Sequence, residues 1–359
     1  MFRTSHRALL ATTLVVSLAT LLCSACNRES TSSGTSTGGS PTGAKKLRVV
    51  YIPKNTGNPY FTEVGKGCEE AAKELGTDYT TTAPATGDAT SQIPIITEQI
   101  QRGVDVMLIS PNSPDALNLI LDQARQHGTT VITVDADLVG NEKHRDAAVL
   151  QTDFSKIGPA QVELLGKLIG YEGDIAILSA TTDAPNQKVW VAGMNEALKQ
   201  PKYAKMHLVA TVFGNDDQQK STTECESLLT RFPNLRGIIS PTSVGLAAAA
   251  QVVERTGVYP GGPHAAGKGL QLTGLSTPNQ LKKFVGKGVV TAFQLWEPSN
   301  MGYLGVHLGE QIHSQKLFPT PGSVLKTPKF GKSTLGENGV LIAGPLVTFD
   351  ISNIDKYDF

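Results

Sequence analysis

The feature that most constrains this chain is a strand–turn–helix unit over residues 47–75, LRVVYIPKNTGNPYFTEVGKGCEEAAKEL, whose rhythm recurs almost to the end. Residues 47–52 are apolar and β-rich, as suits a strand buried on both faces. Pro53 and Lys54 end that run, and 55–58 has the Asn/Gly chemistry of a turn. Beyond Pro59, Phe61, Val64, Cys68, Ala71, Ala72 and Leu75 recur at helical spacing, giving one apolar face. The pattern then predicts a helix through Ile93, Ile96 and Ile100, a strand over 104–110, a helix over 114–127, and strands over 130–135 and 147–151. A helix over 155–170 follows, and the rhythm then restarts. Strands over 173–180, 206–213 and 235–240 follow, with helices over 186–199, 217–232 and 244–256 between and after them. Strands over 270–275 and 289–295, separated by a short helix, close the series.

Strand–helix–strand alternation with short loops is the mark of right-handed parallel α/β units. Two rounds of it predict an α/β fold of two similar doubly wound parallel-sheet lobes joined by a three-segment hinge. The first lobe is expected over 45–152 plus 296–346 and the second over 153–295 plus 347–359. The crossings fall at 151–153, 294–298 and 345–347. Ligands of open α/β sheets sit at the carboxyl ends of strands. Those ends carry Lys54, Ser110-Pro-Asn112 and Asp135-Ala-Asp137 in one lobe, and Asn186-Gln187 and Pro241-Thr-Ser243 in the other. Trp296-Glu297 stands at a crossing.

The turn after the first strand is no nucleotide loop. Gly57 stands alone where a dinucleotide fingerprint needs G-x-G-x-x-G and a P-loop needs G-x-x-x-x-G-K-[ST]. Lys54, Asn55, Asn58, Tyr60 and Phe61 suit a neutral, hydroxyl-rich ligand; they also suit a ligand-free turn and helix start. Gly331-Lys-Ser-Thr334 imitates the end of a P-loop, but Lys326 occupies the upstream glycine position.

With 32 basic and 32 acidic residues among 359, no charge excess favours nucleic acid or an anionic membrane surface. The front of the chain is read as export machinery. Arg3 and Arg7 precede an apolar run over 8–22, which is too short to span a bilayer comfortably and shaped like a signal peptide. Cys23-Ser-Ala-Cys26 ends it and resembles the lipobox of bacterial lipoproteins, with Cys23 where leucine is usual; the resemblance implies that Cys26 is lipidated. A leader over 1–26 is thus followed by a Ser/Thr/Gly tether over 27–44. Cys68 and Cys225 then remain as buried free thiols in different lobes.

Several stretches together carry a family likeness. They are I-P-K (52–54), S-P-D-A-L (113–117), T-V-D-A-D (133–137), N-Q-K-V-W (186–190), I-I-S-P (238–241), L-S-T-P-N (275–279), L-W-E-P (295–298) and the tail N-I-D-K-Y-D-F (353–359). With these the chain resembles periplasmic sugar-binding proteins of the ribose-binding type, the substrate-binding subunits of ABC importers. Within them it is similar to the subgroup of rhamnose-binding and autoinducer-2-binding proteins. The resemblance implies the type I periplasmic binding protein fold and ligand contacts at Lys54, Asp135, Asn186, Gln187, Pro241 and Ser243. The autoinducer-2 pattern has Asp where this chain has Asn186, and Ala where it has Ser243. The stretch 296–303 looks more like the sugar-binding branch.

Asp135 and Asp137 are expected to accept hydrogen bonds from ligand hydroxyls, Asp135 foremost, with one of the pair free to brace the loop. No nucleophile or metal-ligand set accompanies them, so neither catalysis nor a cofactor is expected. Trp296 serves either to stack a sugar or to pack between lobes. His307, Glu310 and His313 do not share one helical face, so a solvated helix is expected there. The expectation is an exported, lipid-anchored, monomeric protein that captures a rhamnose-like deoxyhexose or pentose for an ABC permease. The alternative is autoinducer-2 uptake or sensing.

Overall fold

The computed structural model describes residues 45–359. The expected leader, Cys26 and the tether lie outside the described residues. The chain runs β1 (Arg48–Ile52), α1 (Pro59–Leu75), β2 (Asp78–Thr81), α2 (Ile93–Arg102), β3 (Val106–Ile109), α3 (Asn118–Gln126), β4 (Thr130–Val134) and β5 (Ala147–Leu150). There follow α4 (Phe154–Ile169), β6 (Gly173–Ser179), α5 (Pro185–Leu198), β7 (Met206–Phe213), α6 (Gln218–Arg231), β8 (Leu235–Ser240), α7 (Ser243–Thr256), β9 (Gln271–Gly274), α8 (Pro278–Gly286) and β10 (Ala292–Leu295). Last come α9 (Pro298–His313), β11 (Val324–Thr327), β12 (Gly331–Thr334), β13 (Val340–Ile342) and β14 (Val347–Asp350).

Two sheets organise these elements. The first has the order β13-β5-β4-β3-β1-β2, with every pair parallel. Its central strands β3 and β4 are buried at every residue, which explains why they read as apolar and β-branched runs without a charged residue. The second is β7-β6-β8-β9, also parallel. Beside it, β10 and β14 pair antiparallel, and a Leu275–Gln294 bridge joins them to it. The chain passes between the sheets after β5, after β10 and after β13.

Three details depart from the expectation. The edge strand β2 is polar and largely exposed (Asp-Tyr-Thr-Thr), so it carries no apolar signal and forms by pairing with β1. Helix α3 begins at Asn118, because the Ser113 hydroxyl accepts from the amides of Asp115 and Ala116 and holds that segment in a turn. The helix expected to be solvated is instead core: α9 lies along α1 and across β3, β4 and β5, and residues from Met301 to Gly309 are buried. His307 is 3 % exposed and its Nε2 lies 3.2 Å from Glu74. Glycine permits this packing. A Cβ on Gly67 would sit 1.8 Å from the Ser299 carbonyl oxygen, and one on Gly302 would sit 2.0 Å from that of Val64. Cys68 and Cys225 are both buried and unpaired.

Candidate functional site

The carboxyl ends of both sheets meet around one cavity. The first sheet contributes Lys54 just past β1 and Asp135 just past β4. The second contributes Asn186 and Gln187 in the first turn of α5, Asp216 past β7, Pro241, Thr242 and Ser243 past β8, and Leu275 past β9. Helix α1, N-capped by Asn58 with Pro59 in its first turn, adds Tyr60 and Phe61 to the wall. Buried amides hold the Lys54 loop in place. The Gln92 amide donates to the carbonyls of Pro53 and Ser110, and Asn112 donates to that of Lys54 at 2.9 Å.

At the centre, three side chains from two lobes satisfy one another. Lys54 Nζ donates to Asn186 Oδ1 at 2.8 Å and lies 3.2 Å from Asp135 Oδ2. Asn186 Nδ2 donates to that same carboxylate oxygen at 3.2 Å. Tyr60 OH donates to the other, Asp135 Oδ1, at 2.8 Å. Burial, and next the Asp135 charge, hold the Tyr60 phenol well above its ordinary pKa, so it remains a donor. Gln187 is fixed at both ends: Oε1 accepts from the Ser179 hydroxyl and Nε2 donates to the Pro241 carbonyl, each at 2.7 Å.

Both carboxylates of the site sit on left-handed backbone, Asp135 at φ 67° and Asp216 at φ 52°. Such a conformation costs a non-glycine residue roughly 1–2 kcal/mol, less for Asp, whose short side chain bonds locally. Strain of this kind gathers at functional sites. The Asp216 carboxylate accepts from the Thr242 hydroxyl, and burial raises its pKa.

The cavity brings together Lys54, Asp135, Asn186, Gln187, Pro241 and Ser243 as the sequence expects. Two expected residues lie elsewhere. Asp137 turns away and is saturated by protein donors: Arg145 Nε at 2.6 Å and Nη2 at 2.5 Å, Thr133 Oγ1 at 2.7 Å and the Leu138 amide at 2.9 Å. It braces the loop. Trp296 stands behind the wall, where its indole donates to Tyr60 OH at 3.0 Å and its ring packs on Trp190. The residue that takes its expected place is Trp190, which lines the cavity and whose buried indole N–H has no hydrogen-bond partner in the protein. Trp190 follows Asn186 by four on α5, so it shares that residue's helical face. Asp216 was missed too, although the G-N-D-D turn (214–217) after a predicted strand marks it. Among the described residues, no group of three His, Cys, Asp or Glu side chains is placed to hold a metal.

A paired lysine and carboxylate, two amides and an aromatic wall can hold a neutral polar molecule between two lobes. A family model for the periplasmic binding protein domain matches residues 49–316. The chain belongs to the periplasmic binding protein family. A sugar ABC transporter structure from Actinomyces odontolyticus is 35 % identical, with a TM-score of 0.68, covering 87 % of this chain and 98 % of that one. An ABC transporter solute binding protein from Clostridium phytofermentas with bound L-rhamnose is 27 % identical at a TM-score of 0.81, over 87 % and 98 % of the two chains. LsrB from Clostridium saccharobutylicum in complex with AI-2 is similar in fold, at 22 % identity and a TM-score of 0.80, over 87 % and 100 %. As a periplasmic binding protein, the chain is an exported solute-binding component of sugar ABC transport and not a catalyst.

Proposed function

We propose that this periplasmic binding protein captures a small neutral sugar, a rhamnose-like deoxyhexose or a pentose, between two closing lobes and presents it to an ABC permease. It does so as a monomer tethered to the membrane by a lipid on Cys26. The observation that carries this reading is the network Lys54–Asp135–Asn186, which spans both lobes beside the rings of Tyr60, Phe61 and Trp190. Its donors and acceptors are those a sugar's hydroxyls exchange with, and its lysine offsets the Asp135 carboxylate, so a neutral ligand leaves that pair intact. The aromatic faces suit the apolar face of a pyranose or furanose ring.

The cavity holds about 40 Å³, room for only a few waters at roughly 10–15 Å³ each, whereas ligand pockets run to roughly 300–1,000 Å³. A sugar therefore enters by parting the lobes, and it replaces the contacts between Asn186 and the first lobe with its own. The test is titration calorimetry with L-rhamnose, D-arabinose, D-ribose and AI-2. A sugar of this group is expected to bind, and Lys54→Met is expected to weaken it by at least tenfold. Tighter binding of AI-2 than of any sugar would overturn the assignment.

A further inference from the structure

We propose that the site takes a ligand longer than one sugar ring, a disaccharide whose second unit fills an outer chamber at the mouth of the cleft. This rests on the sugar-binding reading above and extends it. The outer chamber holds about 570 Å³, against about 40 Å³ for the inner cavity. Asp216 lines both, so the two spaces share a wall. The first lobe supplies Asn55 and Asp88 to the chamber, and the second supplies Thr181 and Gln218.

The chemistry changes between the two spaces. The inner cavity has an aromatic side in Tyr60, Phe61 and Trp190, whereas the outer lining contains no aromatic residue. A polar lining suits a unit that carries hydroxyls around its rim. Three aspartates, residues 88, 216 and 217, outweigh Lys220 there, which disfavours a phosphorylated or carboxylated extension. Asn55 is 6 % exposed, and its side-chain carbonyl oxygen has no hydrogen-bond partner. A buried acceptor left unpaired is unfavourable, and a ligand hydroxyl would relieve it. Asp216 gives one carboxylate oxygen to Thr242, and among the described residues no donor meets the second. The buried Asn55 oxygen thus calls for a donor from the ligand, and the solvent-reachable oxygen of Asp216 on the other lobe can accept a second.

The experiment compares L-rhamnose with rutinose, a rhamnosyl-glucose, and D-arabinose with an arabinobiose, by calorimetry on the full chain. One disaccharide is expected to bind at least tenfold tighter than its parent sugar. Asn55→Ala should lower that ratio about tenfold. Gly87→Leu provides a second variant: the backbone there is not left-handed, and a Cβ would meet nothing closer than 3.7 Å, so leucine crowds the chamber without strain. It too should lower the ratio. Binding of the free sugars with exclusion of both disaccharides would overturn the inference and leave the sugar-binding reading intact. A ratio unmoved by both variants would also overturn it. Binding of no sugar or disaccharide in the panel would overturn both.

Discussion

The contact that joins the lobes invites a single-charge perturbation, Asn186→Asp. The Asn186 amide now donates to Asp135 at 3.2 Å and accepts from Lys54 at 2.8 Å. A carboxylate in its place turns the first contact into a like-charge pair. At an effective dielectric of about 20, unit charges at that distance repel by about 5 kcal/mol, and the new attraction to Lys54 is about 6 kcal/mol. The two nearly cancel. Two unopposed costs remain: the lost hydrogen bond to a charged group, about 1.5–3 kcal/mol, and the desolvation of a second buried carboxylate, several kcal/mol. All three side chains are nearly inaccessible, so solvent screens little of this. Contact between the lobes is therefore weakened by at least about 3 kcal/mol, more than a hundredfold in the closing equilibrium. Small-angle scattering should show a larger radius of gyration for Asn186→Asp than for the parent at neutral pH. Acidification should restore it, because one carboxyl of a crowded pair readily takes up a proton. Asn186→Ala should fall between and show no such pH response. Equal radii for all three proteins, or an Ala variant that behaves like Asp, would refute the electrostatic account.

Two further predictions concern stability and attachment. Glu163 accepts from Lys202, Tyr203 and Tyr171, and chiefly the Lys202 bond lowers its pKa from 4.5 to about 2. A carboxyl whose folded pKa is depressed stabilises fully above its unfolded value and loses that contribution as pH falls through the folded one. The gap in Tm between the parent and Glu163→Gln should accordingly be widest above pH 4.5 and close towards pH 2; a gap that stays constant would contradict it. Native protein should require detergent for extraction and Cys26→Ser should release it; parent protein that is soluble without detergent would count against the lipid anchor.

Most of the architecture was legible because it is written in apolar runs. The largely buried strands β1, β3, β4, β6 and β8 are each rich in β-branched and apolar residues, and the loops that follow them are where ligand chemistry collects. Lys54, Asn186, Gln187 and Ser243 could be placed on that basis. Strand β2 could not, since its residues are chosen for an exposed edge. The His/Glu spacing of α9 points to a solvated helix, although Met301, Leu304, Val306 and Leu308 with Gly302, Gly305 and Gly309 describe a helix pressed against its neighbours on several sides. Trp190 was within reach, one helical turn beyond Asn186.

The split between Asp135 and Asp137 shows where pattern reasoning stops. Residues two apart at the end of a strand point to the same side if the backbone stays extended. Here it does not: Asp135 adopts φ 67°, and the turn sends its carboxylate towards Lys54 while Asp137 goes to Arg145. No periodicity announces a positive φ in a non-glycine residue. The consequence bears on specificity. Because Asp135 already receives Tyr60, Asn186 and Lys54, a sugar entering the cavity competes with protein donors as good as its own hydroxyls or better. Exchanging one hydrogen bond to the Asp135 carboxylate for another of the same kind nets little, since the protein bond lost is of the same order as the ligand bond gained. On the proposed reading, selectivity then depends on which ligand lets Asn186 keep both an acceptor and a donor, while affinity comes from the aromatic wall and from the indole N–H of Trp190, a buried group that gains a partner without losing another.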